Sequence, residues 1–406
     1  MTEVQFRDLG PAFARFLARF RPYLGREQNA GHFAAYCRGL LTDLSRKSVE
    51  PMALACGTAV RTLQEFLKTC TWDHPAVRDH LQCDLADTLT EQPDDGCGTI
   101  GIVDETSVVK QGDQTPGVQR QYLGCVGKLQ NGIVTVHLAV ARGRFKALLD
   151  AELYLPQSWD ADRDRCADAE IPDDVVYRAK WRIALELLGR ADANGLNFDW
   201  VTFDEGYGGK PGFLAALDEA GQPYVGEVPA NFAVRPRRSA TTVAARDVLA
   251  RPEVRRRRSR SFSVAHETGP ASVWQAKAGW VRLGNAVSAG HRLVIARNRS
   301  TGEVKYFITN APATVGLSRV VVVGFRRWHV EHTFRVAKSE VGLTHYEGRS
   351  YVGLMRHLVL CLVVLGFVSR HTERLRGEKS GPDVGAGMPG VERPVRAGVP
   401  ATAGDG

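Results

Sequence analysis

Between residues about 8 and 90, hydrophobic positions recur every three to four residues, the spacing that lines one face of an α-helix. PAFARFLARFRPYL puts Phe13, Phe16, Leu17 and Phe20 on one such face, and HFAAYCRGLLTDL and ALACGTAVRTLQEFLKT repeat the pattern. DHPAVRDHLQCDLADTL supplies a fourth segment. The polar, turn-forming EQPDDGCG then ends the helical region. TIGIVDET is a short apolar run that ends in acid. VQRQYLGCVGKLQ and NGIVTVHLAVARG read as strands of an antiparallel meander, with turn signals at Gly127 and at Asn131-Gly132. A helix over Asp173–Asn194, a strand over Phe198–Phe203 with Asp204 at its end, a helix over PGFLAALDEAG and a strand over PYVGEVPA follow. Strands and helices mixed in this way predict an α/β fold with a central sheet covered by helices.

Residues 232–320 break that rhythm. A dense cationic run, RPEVRRRRSR, precedes three strand-like segments, SVWQAKAGWVRL, HRLVIARN and KYFITNAP, so this stretch reads as a β-rich insertion. The next helix spans Phe325–Leu343 and carries an apolar stripe of Val330, Phe334, Ala337 and Val341. Arg327, Glu331 and Lys338 lie together on the neighbouring face. On its own this describes an amphipathic helix with an i,i+4 Arg–Glu pair, worth a few tenths of a kcal/mol. His357–Ser369 is apolar but too short to span a bilayer and is flanked by Arg356 and Arg370, which predicts a buried core helix. The Gly/Pro-rich end has too little apolar surface to fold. The expected division is 1–92 helical, 93–231 first part of an α/β core, 232–320 insertion, 321–375 helical second part of the core, and 376–406 disordered tail.

Composition narrows the partner. The chain has 406 residues, 44% of them hydrophobic, so a large core is available. A net charge of +8 favours a polyanionic partner. The eight cysteines form no CxxC and no zinc-finger spacing, which points to a reduced, cytosolic protein. The N-terminus carries neither the basic nor the apolar region of a signal peptide, and no membrane association is expected.

Two strands end in acid at matching places, at Asp104 and at Asp204. Carboxylates at the carboxyl end of sheet strands face the edge where ligands bind in α/β folds, and helix-borne Glu331 is able to reach the same edge. Three converging carboxylates resist ionisation unless a cation sits among them. Hard oxygen ligands suit Mg²⁺ or Mn²⁺, and a pair of such ions activates water and stabilises a leaving oxygen in phosphodiester cleavage. Each acid alone also reads as a turn or helix cap. Glu105 and Glu205 adjoin the aspartates as alternative ligands, although strand alternation weighs against them.

With these residues in place, the chain resembles the DDE transposases of the insertion-sequence type, specifically the IS701 group within the IS4-like class. The IS4-like signature runs tyrosine, two residues, arginine, three residues, glutamate, six residues, lysine, and Arg327, Glu331 and Lys338 occupy its last three positions. The extension Lys338–Leu360, the segment Gly117–Asn131 and RKSVEPMALACGTAVRTLQEFL are similar to the group as well. The chain departs from the signature at its tyrosine, which falls on Gly324. The resemblance implies a ribonuclease-H-like core with a β-rich insertion between the second Asp and the Glu. It implies that Asp104, Asp204 and Glu331 hold two Mg²⁺ (or Mn²⁺) ions and that Arg327 and Lys338 hold DNA phosphates. It also implies double-stranded DNA partners, terminal inverted repeats and target, engaged by a homodimer. A domesticated or decayed copy that binds DNA without cutting it is the alternative that Gly324 raises.

Further DNA contacts are expected from Arg120 and Lys128 beside the first acid motif, and from Arg255, Arg256, Arg257 and Arg258. Trp274 in the insertion is a candidate for stacking on a flipped base, with strand-core packing as its alternative. Lys110 reads as an ordinary surface lysine.

Overall fold

A computed structural model describes residues 3–379, except 238, 257, 265–270 and 285–289. Five helices open the chain: α1 (Glu3–Ala18), α2 (Glu27–Leu41), α3 (Val49–Ala55), α4 (Val60–Lys68) and α5 (His74–Thr90). The expected continuous helix over residues 53–69 is two helices, because the chain breaks at Gly57, whose φ of 64° is easy only for glycine. Phe13, Phe16, Leu17 and Phe20 are all buried, as the spacing predicted. They do not close a core among themselves. The Phe13 and Phe16 rings lie 4.7 and 5.5 Å from Phe367, far along the chain.

The core sheet is built from β1 (Thr99–Val109), β2 (Gln119–Leu123), β3 (Lys128–Arg142) and β4 (Phe145–Leu153). After the short helices α6 (Gln157–Asp160) and α7 (Arg163–Asp168), α8 (Lys180–Ala193) leads to β5 (Trp200–Phe203). Next come α9 (Glu205–Gly208), α10 (Pro211–Glu219) and β6 (Tyr224–Val228). β3 is antiparallel to both β1 and β4, while β5 runs parallel to β1 and β6 parallel to β5. This mixed sheet with its covering helices is the ribonuclease-H-like core that the sequence led us to expect. Three local expectations change. Asn131-Gly132 lies inside β3, not at a turn. The helix expected from Asp173 begins only at Lys180. β4 was not apparent from the pattern because two acids, Asp150 and Glu152, interrupt its apolar run while both are buried. Arg190 of α8 pairs with both, its guanidinium 3.0 Å from Asp150 and 3.2 Å from Glu152.

The insertion continues the same sheet. β7 (Ala233–Pro236), β8 (Val243–Ala244) and the short α11 (Pro252–Arg255) precede β9 (Arg260–Val264), β10 (Ser272–Arg282), β11 (His291–Asn298) and β12 (Val304–Thr309). β12 pairs antiparallel with β6, which joins the insertion to the core edge. Trp274 of β10 is 1% exposed, with its ring 4.7 Å from Phe325 and 5.9 Å from Trp328. Burial in this cluster gives Trp274 the strand-core packing that was its alternative and leaves it no exposed surface for a base, so the stacking role expected for it is corrected. The expected single helix over Phe325–Leu343 is also corrected. It is two helices, α12 (Leu317–Arg326) and α13 (Trp328–Ser339), that meet at Arg327.

The last helix, α14 (Tyr351–Lys379), packs on α2, α4, α5 and β4. By length and composition Tyr351–Thr372 could cross a bilayer, but most of it is buried within the protein, as expected of a core helix. It reaches beyond the expected limit of 375, and the remainder of the predicted tail, 380–406, lies outside the described residues. Trp274→Ala is expected to destabilise the fold by about 3–5 kcal/mol, read as a lowered urea midpoint at unchanged slope.

Candidate active site

The parallel pairing of β1 and β5 matches Val103 with Phe203, so Asp104 and Asp204 follow side by side. β1 does not stop there. Its antiparallel pairing with β3 carries it on to Val109 and sets Asp104 opposite His137. Asp104 therefore sits within a strand, at the point where the β5 pairing ends. Asp204 caps α9, its Oδ1 accepting from the amides of Gly206 (2.9 Å) and Tyr207 (3.3 Å). The capping alternative for this aspartate is thus real, and among the described residues it engages Oδ1.

Asp104 Oδ1 accepts from the Glu105 amide at 2.8 Å, and Arg327 Nη1 lies 3.4 Å from Oδ2. Burial pushes the Asp104 carboxyl up to about 6, Arg327 opposes that shift, and the neighbouring Asp204 charge adds to it. Across from it stands α13, with Glu331 in its first turn and Lys338 in its last. Asp104, Glu331, Phe334, Arg335 and Lys338 line one cleft of about 530 Å³. Burial lowers the Lys338 ammonium, and Asp104 pulls it back up. Below the cleft, Val330, Phe334, Ala337 and Val341 are buried as the stripe required.

The donor set suits a hard divalent cation, since the buried Asp104 carboxylate stands beside Asp204 with a third carboxylate on the facing helix. Among the described residues, no three His, Cys, Asp or Glu side chains converge into a closed set of metal ligands. Glu331 lines the cleft with Asp104 without closing on the aspartate pair. Glu105 lines the same cleft but is paired there, its two carboxylate oxygens 3.0 and 2.9 Å from Lys180 Nζ. Glu205 is exposed in the first turn of α9.

Two residues escaped the sequence reading. His137 is fully buried, its ring edge-on to Phe334 at 5.2 Å, and burial and then Lys338 push it down to about 3. It is a neutral packing wedge between β3 and α13. Tyr207 is buried with a hydroxyl that has no hydrogen-bond partner among the described residues, close enough to Glu105, Asp204 and Asp104 to be affected by their charges. The alternation of VTVHLAV, aligned with Asp104, was a signal for His137. Nothing in the sequence marked Tyr207.

Arg120 and Lys128 are exposed on the hairpin formed by β2 and β3. Arg255, Arg256 and Arg258 are exposed at and after α11 of the insertion, and Arg257 lies outside the described residues. Lys110 is partly buried and donates to the Tyr346 carbonyl. Gly324, at the signature's tyrosine position, is buried in α12. A Cβ there would come within 3.1 Å of Phe307 and 3.2 Å of Val225. That position faces the sheet and is occupied by a close helix–strand approach.

Residues 19–284 match the DDE superfamily endonuclease family. Over 200 residues the chain is 34% identical to a protein of Microchaete diplosiphon named a probable transposase for insertion sequence element IS701. The alignment covers 48% of each, so the chain spans about half the length of the curated relative it matches. The family match takes in Asp104 and Asp204 and ends before Glu331.

Two outcomes follow from this geometry. An Asp104 carboxyl raised to about 6 when folded holds its proton more tightly than in the unfolded chain, where the value is about 3.9. Its stabilisation is therefore present below about pH 4 and lost as pH rises through about 6. In EDTA, wild type should lose about 2–3 kcal/mol relative to Asp104→Asn between pH 4 and 8, measured by denaturation at each pH. Gly324→Tyr should overpack the α12–sheet contact and cost about 1–3 kcal/mol or more, again read from the denaturation midpoint.

Proposed function

Because the chain belongs to the DDE superfamily endonuclease family, we propose that it cleaves and joins DNA phosphodiesters as a transposase of the IS701 group. The observation that carries this reading is the buried Asp104, set beside Asp204 by strand register and sharing one cleft with Glu331 and Lys338. Asp104, Asp204 and Glu331 would hold two Mg²⁺ or Mn²⁺ ions. Bound divalent ions would supply water activation and charge stabilisation on the leaving oxygen.

The remaining roles belong to the chain. Arg327 orients the Asp104 carboxylate and, as a planar fork, is suited to grip a phosphate as well. Lys338 presents a point charge to the non-bridging oxygens of the strand being transferred. The apolar floor of Phe334 and Val330 keeps the base of the cleft dry, which strengthens each charge interaction above it. Water and then the freed 3′-hydroxyl of the element end would attack in line. Two such ends are cut by one protomer each in a homodimer, whose two-fold axis would match the inverted repeats.

The second reading is a DNA-binding protein without cleavage, favoured by the open acid set. The test is to incubate the full chain and Mg²⁺ with a plasmid carrying the sequences that flank its gene. Wild type should nick and join the ends, while Asp104→Ala, Asp204→Ala and Glu331→Ala should each bind DNA and show no nicking. Full activity in any one variant removes that residue from the catalytic set. Binding by wild type with no metal-dependent nicking selects the second reading.

A further inference from the structure

The β2–β3 hairpin exposes a set of side chains that the catalytic reading leaves unused. Tyr122, Val126 and Leu129 are 60%, 42% and 59% exposed. Tyr122 pairs directly with Leu129 across the two strands, so their side chains share a face. Arg120, two residues before Tyr122, is on that same face and exposed. The hairpin is rigid. Leu123 is fully buried beneath it, and the amides of Val126 and Gly127 both donate to its carbonyl, at 3.1 and 2.9 Å. It also curls back to the cleft. The Cys125 amide donates to Ser107 Oγ at 3.1 Å, and the Cys125 side chain lies near enough to Lys338 to influence its charge.

We propose that this hairpin is a wedge for DNA, with the Tyr122 ring, backed by Leu129, stacking on a base exposed at the duplex end held in the cleft, and with Arg120 and Lys128 on the flanking phosphates. The inference rests on the nucleic-acid reading of the cleft and adds the contact next to the reacting phosphate. Aromatic platforms flanked by cations are how proteins hold unpaired bases without reading their sequence, and apolar side chains wedge into opened base steps. Charge favours DNA over a second copy of the chain, because exposed Arg120 shares the face of Tyr122 and Leu129, exposed Lys128 adjoins it on the same hairpin, and Cys125 of that hairpin lies near Lys338. Three exposed apolar side chains on one hairpin, Tyr122 on β2, Val126 at the turn and Leu129 on β3, are also far short of the roughly 800 Å² per partner that a stable protein interface buries.

The test uses the full chain in EDTA, so that binding is read without cleavage. Two duplexes of one sequence serve as probes, one blunt and one with an unpaired end that carries 2-aminopurine. The expected result is that wild type prefers the frayed duplex and changes the 2-aminopurine emission. The double variant Tyr122→Ser/Leu129→Ser, with an unaltered denaturation midpoint, should lose that change and bind the frayed duplex about tenfold more weakly, with blunt-duplex affinity retained. Tyr122→Trp should keep both. Equal binding of frayed DNA by wild type and the double variant overturns the wedge, as does a shift in oligomeric state in place of a shift in DNA binding. If wild type stacks the probe but never nicks DNA with Mg²⁺, the catalytic reading falls and the wedge stands. If wild type nicks DNA and the hairpin variant binds as wild type does, the reverse holds.

Discussion

The structure depends on one unfavourable arrangement. Parallel pairing of β1 with β5 brings two carboxylates to adjacent positions, and burial strips water from one of them. Like charges placed so close in a low dielectric cost free energy. Arg327 offsets part of that cost from the junction of α12 and α13. Arg327 keeps helical backbone angles at that junction, φ −54° and ψ −39°, and its guanidinium reaches Asp104 Oδ2 at 3.4 Å. What destabilises the metal-free fold is the same feature that would favour a cation in the cleft.

The parts around this pair are interlocked. Gln82 of α5 donates to the Leu149 carbonyl and to Asp150 of β4, at 3.1 and 3.2 Å, and accepts from Asn194 beyond α8 at 2.9 Å. Arg190 covers Asp150 and Glu152, and Tyr351 of α14 donates to Glu152 at 3.2 Å. Every partner in this buried network is spoken for, and removing one would strand a charge in the core. Arg356 of α14 donates to the carbonyls of Leu67 and Trp72 at 2.9 and 3.2 Å, closing the end of α4. The N-terminal helices thus pack as part of one body with the core, not as a detachable module.

The insertion acts on the site through packing. By pairing β12 with β6 it lengthens the sheet on which α12 rests. Trp274, Phe307, Phe325 and Trp328 form one aromatic cluster across β10, β12 and the α12–α13 junction. Gly324 allows α12 to approach Phe307 closely enough for that cluster to form. The orientation of α13, and with it the position of Glu331 and Lys338, follows from contacts made about 50 residues earlier in the chain.

Much of this was legible in the sequence. The apolar stripes of α1 and α13, the strands of the insertion, the buried nature of α14 and the two acids that follow apolar runs are all local patterns, and hydrophobic periodicity reports local patterns well. Tertiary structure decided the rest. Trp274 could face a base or the core on sequence alone, and the contacts of Phe325 and Trp328 settled it. β4 went unrecognised because Asp150 and Glu152 look solvent-facing until Arg190 is brought to them from α8. Asp104 and Asp204 become neighbours only through strand register. A sequence specifies which residues want burial and where a turn is cheap. It does not reveal which distant charge will satisfy a buried one, because that depends on contacts between segments whose separation along the chain says nothing of their distance in space.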